Sequence, residues 1–519
     1  MPFQLSARNH QKIFFFGLIL MVAGFPFSKV LMSISQFVLL GNWLWEGDLG
    51  NKLKMFRHNK AALILFSLPL LYVSGLLWST DINYALNDIR IKLPLFVLPL
   101  IFSTSQVLSE KRFRLLMNIF SFAVVASTLV SVAAYYGLTN KAIKNQRDIS
   151  VFMSHIRFSL LICVAILFLL YSAIVTQEKK WGQRVQFAGA AWLIFFLFFL
   201  ESMTGLVALF ISSLVALLIF SVRQKSFILK LFYASGVLLI AVFSLVLIFR
   251  EVTDFYKIKS VDFSLLEEYS ANGERYIHDT LKKNFENGNL IWIYFAPHEL
   301  EQAWNGRSRI KFNEKDQRGQ PISYTLMRFL TSKDFRKDAP AVQKLSDEEV
   351  MAVERGDANV NYLQHGIRTR INQTIWEINN YLNGENPQGN SITQRLEFWK
   401  AAIGSFALNP VFGAGTGDLQ HAMDFQFSEM KTLLGRQYWL KPHNQYLTIT
   451  VAFGLFGLIW FLVFLIVPGI TRKSWGSFFY TSFMVIALLS MLTEDTLDNQ
   501  VGISFFAFFS CLFLFGKED

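Results

Sequence analysis

The sequence predicts an all-α polytopic membrane protein of about 12 transmembrane helices with one large, mainly helical extracytoplasmic loop. Three observations carry this. Hydrophobic residues make up 53% of the 519 and charged residues only 17%, with 53 phenylalanines, a balance suited to lipid as solvent. Apolar runs long enough to cross a bilayer, roughly 17 to 25 residues, recur along the chain. A polar insert over residues 251–442 then interrupts them, dividing the chain into membrane helices at 1–250, a loop domain at 251–442 and further membrane helices at 443–519.

In order, the runs fall near 12–27, 29–46, 60–79, 89–107, 113–137, 154–176, 185–201, 203–221, 226–249, 443–468, 475–493 and 500–516. The first is read as a retained helix, because no small-residue cleavage site follows it before the second begins. With the N-terminus in the cytoplasm, the inner connections carry Lys52, Lys54 and Arg57; Lys111 and Arg112; Lys179, Lys180 and Arg184; Arg223 and Lys225; Arg472 and Lys473. Each is basic, as the positive-inside rule requires. The insert has 23 Lys and Arg against 25 Asp and Glu, so the net charge of +11 belongs to the short loops. A nucleic-acid surface would place that excess on an aqueous domain, and is excluded as a partner. Cys163 and Cys511 both lie in apolar runs, which leaves no disulfide framework and no cysteine metal site.

Inside the insert, Leu345-Ser-Asp-Glu-Glu349 opens one helix with a cap, and Ile371, Ile375, Ile378 and Leu382 keep helical spacing in another. Asn305-Gly-Arg307, Arg318-Gly-Gln-Pro321, Asn383-Gly and Asn386-Pro-Gln-Gly389 read as turns. The same topology puts the insert outside, together with Asp88 to Lys92, Lys141 to Arg157, Glu201 to Thr204 and Glu494 to Asn499. Charge at membrane depth is costly, so polar residues gathered at one face suggest a site.

Candidate chemistry collects at the end of the insert. His443, in Lys441-Pro-His-Asn444, stands at the outer mouth of a helix; it suits an interfacial cap, and equally a base for an incoming hydroxyl. Arg395 shares a helical face with Trp399 and Ala402; it suits a pair with Glu397 or a lipid phosphate, and its forked guanidinium also fits a diphosphate. Arg157, beside His155 at an outer helix start, offers a second cation, and Arg90 with Lys92 a third, although interfacial snorkelling accounts for any one of them. Pro410 to Asp418 holds Gly413, Gly415 and Gly417 without the strand that a nucleotide loop needs, and reads as a tight turn allowing close approach of substrate or a neighbouring helix. Glu494-Asp495 and Asp498-Asn499 border the last helices, where carboxylates serve as acid or base or simply face water. No metal and no cofactor is expected, since the eight histidines are scattered.

These residues resemble the O-antigen ligase and O-antigen polymerase superfamily of lipid-linked glycan transferases. The resemblance rests on Arg395-x-x-x-Trp399, Asn409-Pro-x-x-Gly413-x-Gly415-Thr-Gly-Asp418, Pro442-His443-Asn444-Gln-Tyr-Leu447 and Gly454-Leu-Phe-Gly457. Tyr324-Thr-Leu-Met-Arg328 to Lys333, followed by Arg336-Lys-Asp338, resembles ligase-like proteins of Bacteroidetes in particular. The resemblance implies a donor glycan on undecaprenyl diphosphate and an acceptor hydroxyl on lipid A core or another molecule. It implies a bacterial inner membrane with the loop in the periplasm, His443 as base and Arg395 on the diphosphate. A second arginine, frequent in the family, is replaced by Met203, and Arg157 is expected to supply that charge, with His155, Arg90, Asn444, Trp399, Asp418 and Glu494 in support. A polymerase, an O-linked protein glycosyltransferase and a non-enzymatic polysaccharide transporter are the alternative readings; the transporter lacks paired mid-membrane charges and internal repeats.

Overall fold

The computed structural model describes residues 5–139, 146–175, 180–363 and 366–517. Two compact units emerge, one of residues 1–238 with 394–519, the other of 239–393.

In the first unit, α1 (Ala7–Gly24) and α2 (Lys29–Trp45) are followed by α3 (Leu49–His58), α4 (Lys60–Ser74), α5 (Ile82–Ile91) and α6 (Leu93–Thr104). Then come α7 (Glu110–Tyr135), α8 (His155–Val175), α9 (Lys180–Phe199), α10 (Met203–Val222) and α11 (Phe227–Phe255), which passes into the second unit after residue 238. Among the described residues seven helices are long and apolar enough to cross a membrane: Lys60–Trp78, α7 to α11, and the later α19 (Gln445–Thr471). The shorter apolar helices α20 (Phe478–Thr493) and α21 (Gln500–Phe515) complete the apolar set. The chain is thus a multi-pass, all-α membrane protein. α11 shows lipid as solvent most plainly. Only Val237 is buried along it, while Phe232, Phe243 and Phe249 are each more than 60% exposed, tolerable in hydrocarbon but not in water.

Two departures from the sequence reading have local causes. The run 89–107 is interrupted at Lys92, because Pro94 brings no backbone N–H to continue the helix, so α5 and α6 are separate. The inner connection 47–59 is not plain loop but contains α3, which buries Lys52 and Phe56 on one side. The phenylalanines pack the centre: Phe483 lies 5.4 Å from Phe505 and 5.7 Å from Phe509, with Phe25 5.7 Å from Phe509, in offset and edge arrangements favoured by ring quadrupoles.

The second unit holds α12 (Pro297–Arg307), α13 (Ile322–Ser332), α14 (Ala339–Gln343), α15 (Asp347–Arg355) and α16 (Ile367–Leu382), plus one hairpin, β1 (Phe285–Glu286) against β2 (Asn289–Leu290). Ser346 closes a full capping box with Glu349 at α15. Asn305-Gly-Arg307 is the last turn of α12 rather than a separate turn, since Asn305 accepts from Phe312 and anchors the segment beyond. Residues 256–296 form no α-helix, so helices dominate this unit less than its sequence predicts. Its interior ion pair joins Arg328 Nε to Glu286 Oε1 at 2.6 Å, with Asn359 donating to the same carboxylate at 2.7 Å and the Trp376 ring 3.5 Å from the guanidinium. Asp338 caps α14 and accepts from the Tyr276 hydroxyl at 2.6 Å. Arg328 and Asp338 therefore hold the unit's own core together.

Back in the first unit, α17 (Ser391–Leu408, from residue 394 onward) and α18 (Leu419–Glu429) flank the glycine turn. That turn meets a break in α19, where Gly454 adopts φ 64° and ψ −159°. The Val451 and Ala452 carbonyls accept instead from Ala414 N (2.9 Å) and Gly415 N (2.8 Å), and Leu455 N donates to Pro410 O (2.8 Å). Backbone released by the break is thereby satisfied, the condition for irregular chain at membrane depth. Of the two readings of the turn, close approach to a helix is the one observed. A Cβ at Gly454 would overlap the Val411 carbonyl, and this backbone region admits little but glycine. Gly454→Ala is expected to cost about 3 kcal/mol or more, read as a lowered midpoint of thermal unfolding in detergent.

Candidate functional site

Three segments of the first unit build the site: α17, the turn entering α19, and the link between α20 and α21. One helical turn separates Arg395 from Trp399, whose indole N–H donates to the Pro442 carbonyl at 3.1 Å and fixes the turn. Asn444 caps α19, its Oδ1 accepting from Tyr446 N (3.1 Å) and Leu447 N (3.2 Å). Between them His443 takes φ 49°, an uncommon conformation for a side chain with a Cβ. Its N–H donates to Asp495 Oδ2 at 3.1 Å, and Thr448 donates to Asp495 Oδ1 at 2.5 Å. A strained backbone held this firmly commonly marks a working side chain.

Glu494 is the hub. Arg395 Nη2 lies 3.0 Å from its Oε1, and His443 Nδ1 3.7 Å from its Oε2, just beyond a hydrogen bond. Burial raises the Glu494 carboxyl, but the nearby His443, Arg395 and Arg157 outweigh it and hold the group below the usual carboxylate range. Arg157, at the third residue of α8, lies within electrostatic range of the same carboxylate. The Phe398 ring, 5.8 Å from the imidazole, closes one side. The structure thus gathers His443, Arg395, Arg157 and Glu494, with Trp399 and Asn444 as their framework. Arg395 pairs with Glu494 at 3.0 Å, and Glu397 accepts from Thr432 (2.6 Å) and Lys400 (3.2 Å).

The other candidates fall elsewhere. Arg90 is exposed and bonds Asn87 at 2.7 Å. His155 opens α8, two residues before Arg157. Asp418 accepts from Thr80 N (2.6 Å), Thr80 Oγ1 (2.6 Å) and Asp81 N (3.1 Å), with His421 3.5 Å away, and so ties the glycine turn to the end of the α4 segment. Lys92 is not a surface cation. It is fully buried, 2.9 Å from Asp88 and 3.1 Å from Asp498, while Lys441 lies 2.9 Å from the other Asp498 oxygen. Burial raises the Asp498 carboxyl, yet Lys441 and Lys92 drive it well below its usual value; Asp498 in turn lifts Lys441 against its burial. This lattice borders the site through Asp495 and Gln445; in the sequence its members showed only as polar residues gathered at one face, Asp88 to Lys92 and Glu494 to Asn499, without their pairing.

No curated protein matches the chain. Residues 349–462 match the family model described as O-Antigen ligase (Wzy_C). That segment contains Arg395, the glycine turn, His443 and Gly454, and its match is consistent with the O-antigen ligase superfamily that these motifs resemble.

Proposed function

We propose that the protein transfers a glycan from a polyprenyl-diphosphate carrier, of the undecaprenyl kind, to an acceptor hydroxyl at the outer face of the bacterial inner membrane. The observation that supports this best is Glu494 held between Arg395 and His443. A carboxylate beside Nδ1 favours the tautomer that carries its proton there, which makes Nε2 the base. Nε2 takes the acceptor proton, the acceptor oxygen attacks the anomeric carbon from the far side, and the bond from that carbon to phosphate oxygen breaks with inversion. The departing diphosphate keeps the electron pair, and Arg395 and Arg157 neutralise it. Entry of the donor lets phosphate oxygens replace Glu494 on Arg395, leaving the carboxylate to the imidazolium that forms. The polyprenyl tail lies among outer-leaflet helices, and lipid A core is one acceptor that fits.

Purified protein incubated with lipid-linked glycan and candidate acceptors, chelator present, should yield an acceptor-linked product with inverted anomeric configuration. Absence of product with every acceptor would overturn the reading. Arg395→Ala should lower turnover by about 10²–10³-fold, with Arg395→Lys partly restoring it; full activity in the alanine variant would remove arginine from the mechanism. A polymerase uses the same chemistry with a lipid-linked acceptor, and multi-unit carrier-linked products would favour it.

A further inference from the structure

The far end of the same helical unit holds a cavity of about 920 Å³. α8 carries Arg157 at one end and Tyr171, which lines this cavity, fourteen residues on; at 1.5 Å per residue that is about 21 Å along its axis. α20 likewise begins at the cavity with Phe478 and Phe479 and ends beside Glu494.

Four cations line it: Arg223, Arg472, Lys473 and Lys517. Among the described residues, no carboxylate lines it. The rest of the wall joins apolar side chains, Val215, Leu218 and Ile219 from α10 with Phe478 and Phe479, to the hydroxyl groups of Ser474, Ser477 and Thr481. Among the described residues, Arg223, Arg472 and Lys473 meet no carboxylate within ion-pair distance, and the two arginines are fixed by backbone carbonyls. Arg223 Nη2 donates to the Gly476 carbonyl at 2.7 Å, and Arg472 Nε to the Leu514 carbonyl at 3.2 Å, each committing one of five N–H groups. Lys473 holds φ 54° at the corner between α19 and α20. Lys517 is the exception, 3.6 Å from Glu110, which also pairs with Arg114. Basic residues on short loops follow from topology alone, but four converging on one apolar cavity do not.

We propose that this cavity binds an anionic glycerophospholipid, its phosphate held by Arg223, Arg472 and Lys473 and its acyl chains laid against α10 and Phe478–Phe479. Basic pockets between membrane helices recognise acidic headgroups in this way, and a headgroup with attached chains matches both walls at once. Each cation near such a headgroup contributes a factor of about five in affinity. The site is separate from the transfer chemistry and stands whether or not that reading holds.

The test is native mass spectrometry of the purified full chain in detergent with phosphatidylglycerol or with phosphatidylcholine of the same acyl chains. Phosphatidylglycerol should be retained at least about tenfold better, and Arg472→Gln with Lys473→Gln should remove that preference while elution volume stays unchanged. Arg223→Gln, from the opposite wall, should weaken it by roughly fivefold, which keeps the test sound if the double variant misfolds. Equal retention of the two lipids, or an undiminished preference in folded variants, would overturn the proposal. Displacement of phosphatidylglycerol by millimolar inorganic phosphate would also overturn it, by showing a bare anion site.

Discussion

His443→Ala should lower glycan transfer by about 10²–10⁴-fold, the usual worth of a positioned general base, while the protein still accumulates and the lipid-linked donor remains available. The selectivity of that loss follows from how the residue is held. The neighbouring turn is fixed by backbone and framework groups: the His443 N–H on Asp495, the Trp399 indole on the Pro442 carbonyl and the Asn444 cap on α19. None involves the imidazole, so its removal leaves them in place and even relieves little strain, alanine being no freer than histidine at φ 49°. The measurement is product formation by purified variant and parent at equal concentration. Near-parental turnover in His443→Ala would remove the imidazole from the reaction.

A second large effect should come from a residue with no role in bond making. Asp498→Asn keeps the shape but removes the charge that faces both Lys92 and Lys441, leaving a buried and a half-buried ammonium group with Asp88 as the remaining close carboxylate. Breaking a buried pair on one side costs about 3–5 kcal/mol, and here one side serves two partners. The expected result is a large fall in the unfolding midpoint, or loss of folded protein; Asp88→Asn, which leaves Lys92 its bond to Asp498, should cost less. The sign with pH follows from the depressed Asp498 carboxyl: its stabilisation is complete above the unfolded aspartate value near about 4 and is lost as pH falls through the lower folded value. Unfolding midpoints measured from neutral to acid pH should fall in the parent and stay flatter in Asp498→Asn. Equal midpoints at neutral pH would show that the lysines need no counter-charge.

How much of this was legible beforehand depends on the range of each interaction. Each apolar run contains a helix because hydrophobicity over about 20 residues is a local property, and the α15 cap was readable because Ser346 and Glu349 are three residues apart. His443 and Arg395 stood out through their neighbours in the chain. Glu494 was visible only as one acid at a loop end, since nothing local reveals a partner 99 residues away in Arg395. For the same reason Glu397, two residues along, was the carboxylate the sequence offered beside a lipid phosphate. Lys92 illustrates the converse error: a lysine next to a helix start reads as a surface cation until the fold brings Asp498 to it from 406 residues away. The interruption at Lys92 was written in Pro94 but masked by the apolar residues around it.

The exchange of backbone partners between the glycine turn and the broken α19 has a consequence for biogenesis. Ribosomes release residues 410–415 well before Gly454, so the newly made turn must wait with the amides of Ala414 and Gly415 and the carbonyl of Pro410 uncommitted. Only arrival of the later segment completes them, and that segment in turn cannot settle as an uninterrupted rod. Neither piece satisfies its backbone alone, so the two can reach their final shape only together.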